Sequence, residues 1–403
     1  MKNLNLDTPL VLDVESTFIG KPGASFNPNN RLVSYAYLIP ATGAHCFKYH
    51  SDPDFARVPE SLETPTTIVV GFNIKFDLHW LSTLRNHQAG CQIWDCQLAE
   101  HILTGQRSPY ISLNEALESY GLPVKLDVVK GYWDAGIDTD QIPVEVLEEY
   151  NKHDVMMTYE LYKMQRSIMT PEQINLLLIE GEDMKTLIEC ERNGIKWDAE
   201  NADKQKHALG ESLSVLNSKL RDFLPFGADR LYSFNWNSGD QLSALLYGGT
   251  ITYDYAISEE AVYQSGARKG QSYTRNRWFT EEVRFPARFR PLDGTEIKKT
   301  KNDPNATTHF YQVDEPTLLQ LKTRRREDNE LLSLLRERAE KIKVLEMIAS
   351  IEATMAKNNW QDNIIHGQYN QNVAVTGRLS SSAPNMQNTP PEVDQLLVSR
   401  YDD

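Results

Sequence analysis

The spacing of apolar and polar positions over residues 1–170 predicts strands first and helices after them. Leu10-Val11-Leu12, continued by Val14, is an apolar run that reads as a buried strand. Arg31–Ile39 alternates and stops at Pro40, a second strand, and Gly43–Tyr49 follows a short turn as a third, paired antiparallel. Thr66–Val70 is a further strand, after which a helical pattern begins near Asn73. Cys91–Asp95 predicts a short strand leading into a helix over Cys96–Thr104. Ile111–Tyr120 reads as helical and stops at Gly121. An amphipathic helix carrying Tyr150 follows Pro143. This order predicts an α/β domain with a mixed sheet, ending near Met169-Thr170-Pro171.

Beyond it the period becomes helical. Helices are expected over Pro171–Arg192 and Ala199–Phe223, broken at Asn193-Gly194. Thr250–Gln312 differs, being rich in aromatics, Gly and Arg/Lys. Its short alternating runs, Ser272–Phe279 and Val283–Phe289, predict β-ribbons, the alternative being a solvated charged loop. Glu315–Lys357 predicts one long amphipathic helix with a stripe of Leu331, Leu334, Leu335, Ile342, Leu345, Ile348 and Ile351. Arg324-Arg325-Arg326 could touch phosphates or form a solvated face.

Composition narrows the class. The 403 residues suffice for two or three domains, with 40% hydrophobic and 24% charged residues, an ordinary soluble balance. No apolar run approaches bilayer length and Met1–Asp7 lacks a signal-peptide core, so no membrane partner is expected. Cys46, Cys91, Cys96 and Cys190 form no zinc spacing, which points to a reduced cytoplasmic setting. The net charge of −14 argues against a nucleic-acid partner if spread evenly. It is not spread evenly. Between Gln264 and Lys301, Arg268, Lys269, Arg275, Arg277, Arg284, Arg288, Arg290, Lys298, Lys299 and Lys301 outnumber Glu281, Glu282, Asp293 and Glu296 by six, which suggests a localised polyanion track.

The candidate chemistry is carboxylate chemistry. Asp13 and Glu15 are two apart on a strand, so they share a face, where they repel unless a hard divalent cation neutralises them or the strand end faces water. Asp77 falls on the first turn or two of the helix after Gly71, where a helix-start acid is ordinary. Tyr150 and Asp154 are four apart on one helix face, open to reading as a half-buried Tyr beside a solvated Asp.

In this order the three stretches resemble the DEDD family of 3′→5′ exonucleases, whose pattern is D-x-E, N-x-x-x-D and Y-x-x-x-D: here Asp13/Glu15, Asn73/Asp77 and Tyr150/Asp154. Glu149 stands where a sister branch has His, so the sequence looks like the tyrosine branch. The adjacent His153 is out of place for that role and reads as structural or substrate-facing. The resemblance implies an RNase H-like mixed sheet. It implies two Mg²⁺ ions, with Mn²⁺ able to substitute, held by Asp13, Glu15, Asp77 and Asp154. It also implies that Tyr150 orients the attacking water and that Asn73 holds the strand–helix junction or contacts DNA.

Three later segments resemble family A DNA polymerases of phage type. They are Leu187–Asp198, which carries E-x-x-G-I-x-x-D from Glu191 to Asp198, Phe234–Leu242 with Asn237 or Ser238 as helix cap, and Thr376-Gly377-Arg378-Leu379-Ser380-Ser381-Ser382-Ala383-Pro384-Asn385-Met386-Gln387-Asn388. That family implies Arg378, Asn385, Gln387 and Asn388 as DNA contacts, Arg378 sensing pair geometry in the minor groove. The expected organisation is an exonuclease domain over 1–170, a mainly helical thumb over 171–357 with a basic β insertion at about 250–312, and the start of a palm over 358–403. The family's fingers and catalytic palm motifs are not found before Asp403. The resemblance therefore implies a proofreading exonuclease acting on single-stranded 3′ ends and primer-template. Fingers and palm would come from a carboxy-terminal polymerase half, and a processivity factor is a further expected partner. The alternatives are a non-catalytic DNA-binding subunit of a split polymerase and, disfavoured by the polymerase segments, an RNase of the same superfamily.

Overall fold

The computed structural model describes residues 6, 9–17, 25–84, 90–124, 128–227, 229–297 and 310–401. The chain forms two compact units, residues 1–202 with 347–403, and residues 203–346.

In the first unit β1 (Leu10–Ser16) is the middle strand of five. It pairs antiparallel with β2 (Leu32–Ile39), which pairs with β3 (Ala44–Tyr49). On its other side it runs parallel to β4 (Ile68–Gly71), and helix α1 (Ile74–Leu84) carries the chain to β5 (Gln92–Asp95), parallel to β4. The order β3-β2-β1-β4-β5 is a mixed sheet, as expected. Leu10, Val11, Leu12 and Val14 are buried because a central strand is covered on both faces, whereas the edge strand β3 is half exposed.

Helix α2 (Cys96–Leu103) starts at Asp95, whose carboxylate accepts from the N–H groups of Gln97 and Leu98. Ser112 and Glu115 make a capping box that starts α3 (Leu113–Ser119) two residues later than the periodicity predicts. Helix α4 (Val128–Asp134), which the pattern does not announce, precedes α5 (Val144–Ile168). Thr170 and Gln173 cap α6 (Pro171–Asn193), which stops at Gly194, in the left-handed region at φ +62°. The chain then forms β6 (Ile195–Trp197).

The boundary expected at residue 170 does not coincide with the compact units, since α6 packs on β5 within the first. Gly181 permits the close approach: a Cβ there would stand 2.8 Å from the Ile93 carbonyl oxygen.

Helix α7 (Ala199–Arg221) leads into the second unit. There Ser238, not Asn237, caps α8 (Gly239–Tyr247), accepting from the Gln241 N–H. The expected ribbons are one long hairpin, β7 (Gly249–Val262) against β8 (Ser272–Phe285). The run Ser272–Phe279 and the start of the run Val283–Phe289 belong to the one strand β8, which ends at Phe285 before Pro286. β9 (Glu296–Ile297) pairs with β10 (Phe310–Tyr311). The single helix expected over Glu315–Lys357 is two, α9 (Glu315–Gln320) and α10 (Arg326–Lys357). Leu321 turns extended and buries its side chain, which ends the first. Leu220, Phe234, Leu245, Phe285, Leu331 and Leu335 are among the core residues of this unit.

The returning chain completes the first unit with β11 (Ile364–Ile365), β12 (Gln368–Asn370), β13 (Ser380–Ser382), α11 (Pro391–Asp394) and β14 (Leu397–Val398). Strands order β11-β6-β14, and β12 pairs with β13. No helix among the described residues is long and apolar enough to cross a membrane.

Candidate active site

Strand alternation puts Asp13 and Glu15 on one face of β1, and α5 packs against that strand. Asp154 on α5 meets them: one ligand oxygen from each of Asp13, Glu15 and Asp154 lies within 4.8 Å of the others. Glu15 and Asp154 are buried and Asp13 is half-buried. Asp77, in the first turn of α1, is held beside them by the Val14 N–H, which donates to its Oδ1 at 2.9 Å. Burial and then the Asp13 charge raise the Asp77 carboxyl well above its usual range, against the hydrogen bond from Val14. Tyr150, one turn before Asp154, is buried against Val33, Val129, Ile142 and Leu147.

An all-carboxylate oxygen cluster suits a hard divalent cation such as Mg²⁺ or Mn²⁺. Burial is the main cause of the raised Asp77 carboxyl, and the second, the Asp13 charge, is one that a cation would relieve.

Three site residues escaped the sequence reading. Asp95 Oδ1 accepts from the Asn73 N–H at 3.0 Å and the Gln97 N–H at 2.8 Å, and burial pushes its carboxyl up to about 6. It thereby ties the β4–α1 corner, where Asn73 stands at φ +56°, a conformation Asn tolerates better than most residues. An acid at a strand end before a helix was the available signal. Asn151 donates to Asp13 and accepts from Ser34, a pairing across more than a hundred residues that left no local trace.

A second polar cluster lies in the same unit. Glu191, 2% exposed, pairs with Lys75 and accepts from His79 Nε2 at 2.6 Å. The Tyr369 N–H donates to the same carboxylate at 2.7 Å, and Lys75 also donates to the Tyr369 carbonyl at 2.6 Å. Burial holds His79 below its usual pKa, with the Glu191 hydrogen bond opposing. Its Nδ1 is buried without a partner, as fits a neutral ring donating through Nε2. Burial pushes Glu191 up, but the His79 hydrogen bond and the Lys75 charge outweigh it and hold the carboxyl below its usual range. A cavity of about 250 Å³ lies alongside, lined by Phe76, Trp80 and Tyr110 and by the amides Asn73, Gln97 and Asn372.

Arg378, Asn385, Gln387 and Asn388 are exposed, unlike the carboxylates. Arg378 sits in the loop between β12 and β13, and the Gln387 N–H donates to Asn385 Oδ1 at 3.0 Å.

The local basic surplus is smaller in space than in sequence. Along the β7–β8 hairpin Arg268, Lys269, Arg275, Arg277 and Arg284 are matched by Asp254, Glu259, Glu260, Glu281 and Glu282. Arg275 pairs with Glu259 at 2.6 Å across the register, and Arg230 with Glu281 at 3.1 Å. Lys298, Lys299 and Lys301 lie outside the described residues. In the turn that joins the strands, Arg268 and Lys269 stand without an acid between Val262 and Ser272, while Arg277 lies further down β8, opposite Ile257.

Residues 34–169 match the 3'-5' exonuclease family and residues 289–400 match DNA polymerase family A. The first match begins after Asp13 and Glu15, which the sheet nonetheless brings to Asp154. The chain is 26% identical over 350 residues to DNA polymerase I of Synechocystis sp., covering 81% of this chain and 29% of that protein. It is 24% identical over 356 residues to the DNA polymerase of Bacillus phage SP01, covering 84% and 36%, and 24% identical over 400 residues to DNA polymerase I of Pseudomonas aeruginosa, covering 97% and 37%. It thus spans about a third of these relatives' length. A solved structure, the POL domain of Pol1 from M. smegmatis in complex with DNA primer-template and dNTP, superposes with a TM-score of 0.61 at 17% identity. It covers 96% of this chain and 54% of that one, a likeness of fold.

Proposed function

The chain resembles the amino-terminal part of a family A DNA polymerase, with an exonuclease domain and a polymerase-like segment, and from that premise we propose that it is a proofreading 3′→5′ DNA exonuclease. The observation that carries the reading is the convergence of Asp13, Glu15 and Asp154 within 4.8 Å, with Asp77 held against the same strand.

In this reading Asp13, Glu15, Asp77 and Asp154 hold Mg²⁺, or Mn²⁺ in its place. The cations, when bound, supply charge to activate water and to stabilise the leaving oxygen. Tyr150 orients the attacking water through its hydroxyl. Each cycle consumes one water. Its hydroxyl joins the terminal phosphorus, the P–O3′ bond breaks, and the hydrogen ends on the 3′ oxygen of the shortened strand. Asn73 keeps the β4–α1 corner in place for Asp77. The aromatic and amide cavity beside α1 suits stacking of unpaired bases, so single-stranded 3′ ends are the proposed substrate.

Arg378, Asn385, Gln387 and Asn388 are assigned to primer-template contacts, and the tip of the β7–β8 hairpin to the DNA backbone. The functional division proposed is exonuclease over 1–170, thumb over 171–357 and palm start over 358–403. Nucleotide addition is assigned to an assembly in which further polypeptide supplies fingers and palm, in the cytoplasm of a bacterial or phage-infected cell.

The test is degradation of a 5′-labelled single-stranded oligonucleotide by the purified chain with Mg²⁺. A ladder shortening from the 3′ end, abolished by EDTA and lowered by orders of magnitude in Asp13→Ala, is expected. A wild-type rate in Asp13→Ala would overturn the assignment.

A further inference from the structure

Asn151 is fully buried on α5, where the neighbouring inward positions Leu147 and Val155 are apolar. A buried amide is costly unless its polar atoms are matched. Both ends of this one are matched, and both bonds point at the carboxylate site. Its Nδ2 donates to Asp13 Oδ2 at 2.9 Å, and its Oδ1 accepts from Ser34 Oγ at 2.8 Å. Ser34, also fully buried, sits on β2 directly opposite Glu15. Opposed residues of an antiparallel pair share a face, so Ser34, Glu15 and Asp13 all face α5.

The Asp13 carboxylate, which can only accept, decides which way the amide points, since the Ser34 hydroxyl can donate or accept. Rotated by half a turn, Asn151 would aim its carbonyl oxygen at the Asp13 carboxylate, a repulsive contact, so Asp13 selects the orientation and the Ser34 hydroxyl braces it by donating to the oxygen at the other end. The donor is neutral. An Arg or Lys in its place would cancel the charge that a cation needs, whereas an amide orients the carboxylate and leaves the charge intact.

We infer that Asn151, braced by Ser34, is a positioning residue: its bond to Oδ2 holds the Asp13 carboxylate in the orientation in which it shares a divalent cation with Glu15 and Asp154. The inference rests on the exonuclease reading above. It adds that the cation affinity of the site depends on a relay from β2 through α5 to β1.

The test is Mn²⁺ binding to the full chain, read from the loss of the free-ion electron paramagnetic resonance signal, beside the Mn²⁺ dependence of oligonucleotide hydrolysis. Asn151→Ala should weaken Mn²⁺ binding by about tenfold or more. Hydrolysis by the variant should recover toward the wild-type rate at saturating Mn²⁺, a split that general loss of structure would not give. Ser34→Ala should weaken binding in the same direction and by less. If Asn151→Ala does not fold, Ser34→Ala decides by the same criterion. Wild-type Mn²⁺ affinity in the folded variants overturns this inference and leaves the exonuclease reading standing. Absence of Mn²⁺ binding by the wild-type chain overturns both.

Discussion

The backbone N–H of Val14 donates to Oδ1 of Asp77 at 2.9 Å, so the strand bearing Asp13 and Glu15 also fixes the acid of the neighbouring helix. Asp77 is therefore positioned by the backbone and penalised by its surroundings. Its folded-state pKa is raised by burial and by Asp13. The folded chain thus holds this proton more tightly than the unfolded one, and stability is lost as pH rises from about 3.8 through the raised value. Asp77→Asn keeps an acceptor for Val14 and removes the charge. At neutral pH without metal its thermal midpoint should equal or exceed that of wild type, while nuclease activity falls by orders of magnitude. A lowered midpoint would show that the Asp77 charge contributes to stability.

Divalent metal should stabilise the fold through the same cluster. A ligand at 100 times its dissociation constant adds about 2.7 kcal/mol. Mg²⁺ should raise the thermal midpoint of wild type, and the rise should shrink or vanish in Asp154→Ala. An equal rise in both proteins would place the ion elsewhere.

Glu191 supports two cationic or hydrogen-bonding partners from α1 and the backbone of β12. Glu191→Gln leaves Lys75 buried without a counter-charge and should cost about 3–5 kcal/mol in chemical denaturation. The pH dependence has a definite sign. The folded Glu191 pKa lies below the ordinary 4.5, so its contribution is present above 4.5 and lost as pH falls through the folded value. The folded His79 pKa lies below 6.5, so the unfolded chain takes up a proton first and stability also declines below pH 6.5. Asp77 and Asp95, whose folded values are raised, act in the opposite sense over part of the range from pH 7 to 4. The Glu191 and His79 contributions are therefore read as the stability difference between wild type and a Glu191→Gln, His79→Gln variant, which should narrow from pH 7 to 4. A difference constant over that range would contradict both assignments.

The hairpin tip gives a salt-dependent prediction. Replacing Arg268 and Lys269 in the turn, and Arg277 further down β8, by Ala should weaken binding to single-stranded DNA. The log–log salt slope should flatten by about 0.7 for each phosphate that is no longer neutralised, roughly 2 in all. Hydrolysis of a very short oligonucleotide should be nearly unchanged. A wild-type slope in the triple variant would indicate that the tip serves a protein partner instead.

Gly181→Val tests the packing of α6 on β5. Its Cβ would meet the Ile93 carbonyl oxygen at 2.8 Å, and the backbone on both sides has little room to yield. A loss of about 1–3 kcal/mol is expected in chemical denaturation. No change would mean that α6 shifts freely on the sheet.

By itself the sequence determined which chemistry this chain can host and most of the local elements that carry it. The apolar run at Leu10–Val14 specified a buried strand because two-sided burial demands it. Period two placed Asp13 with Glu15 because the pleat leaves no choice, and the caps at Ser112, Thr170 and Ser238 are local hydrogen bonds between residues three apart. Tertiary structure decided the rest, because it depends on contacts between distant residues. The meeting of α5 with β1 turned an ordinary helix-face Asp154 into the partner of Asp13 and Glu15. The antiparallel register of β1 with β2 put Ser34 opposite Glu15 and made Asn151 a link to Asp13. The pairing of β7 with β8 set Glu259 against Arg275 and moved the apparent basic surplus to the hairpin tip. Hydrophobic periodicity reports which face of an element is buried. It does not say against what, and the bonds from Val14 to Asp77 and from Asn151 to Asp13 are answers to that second question.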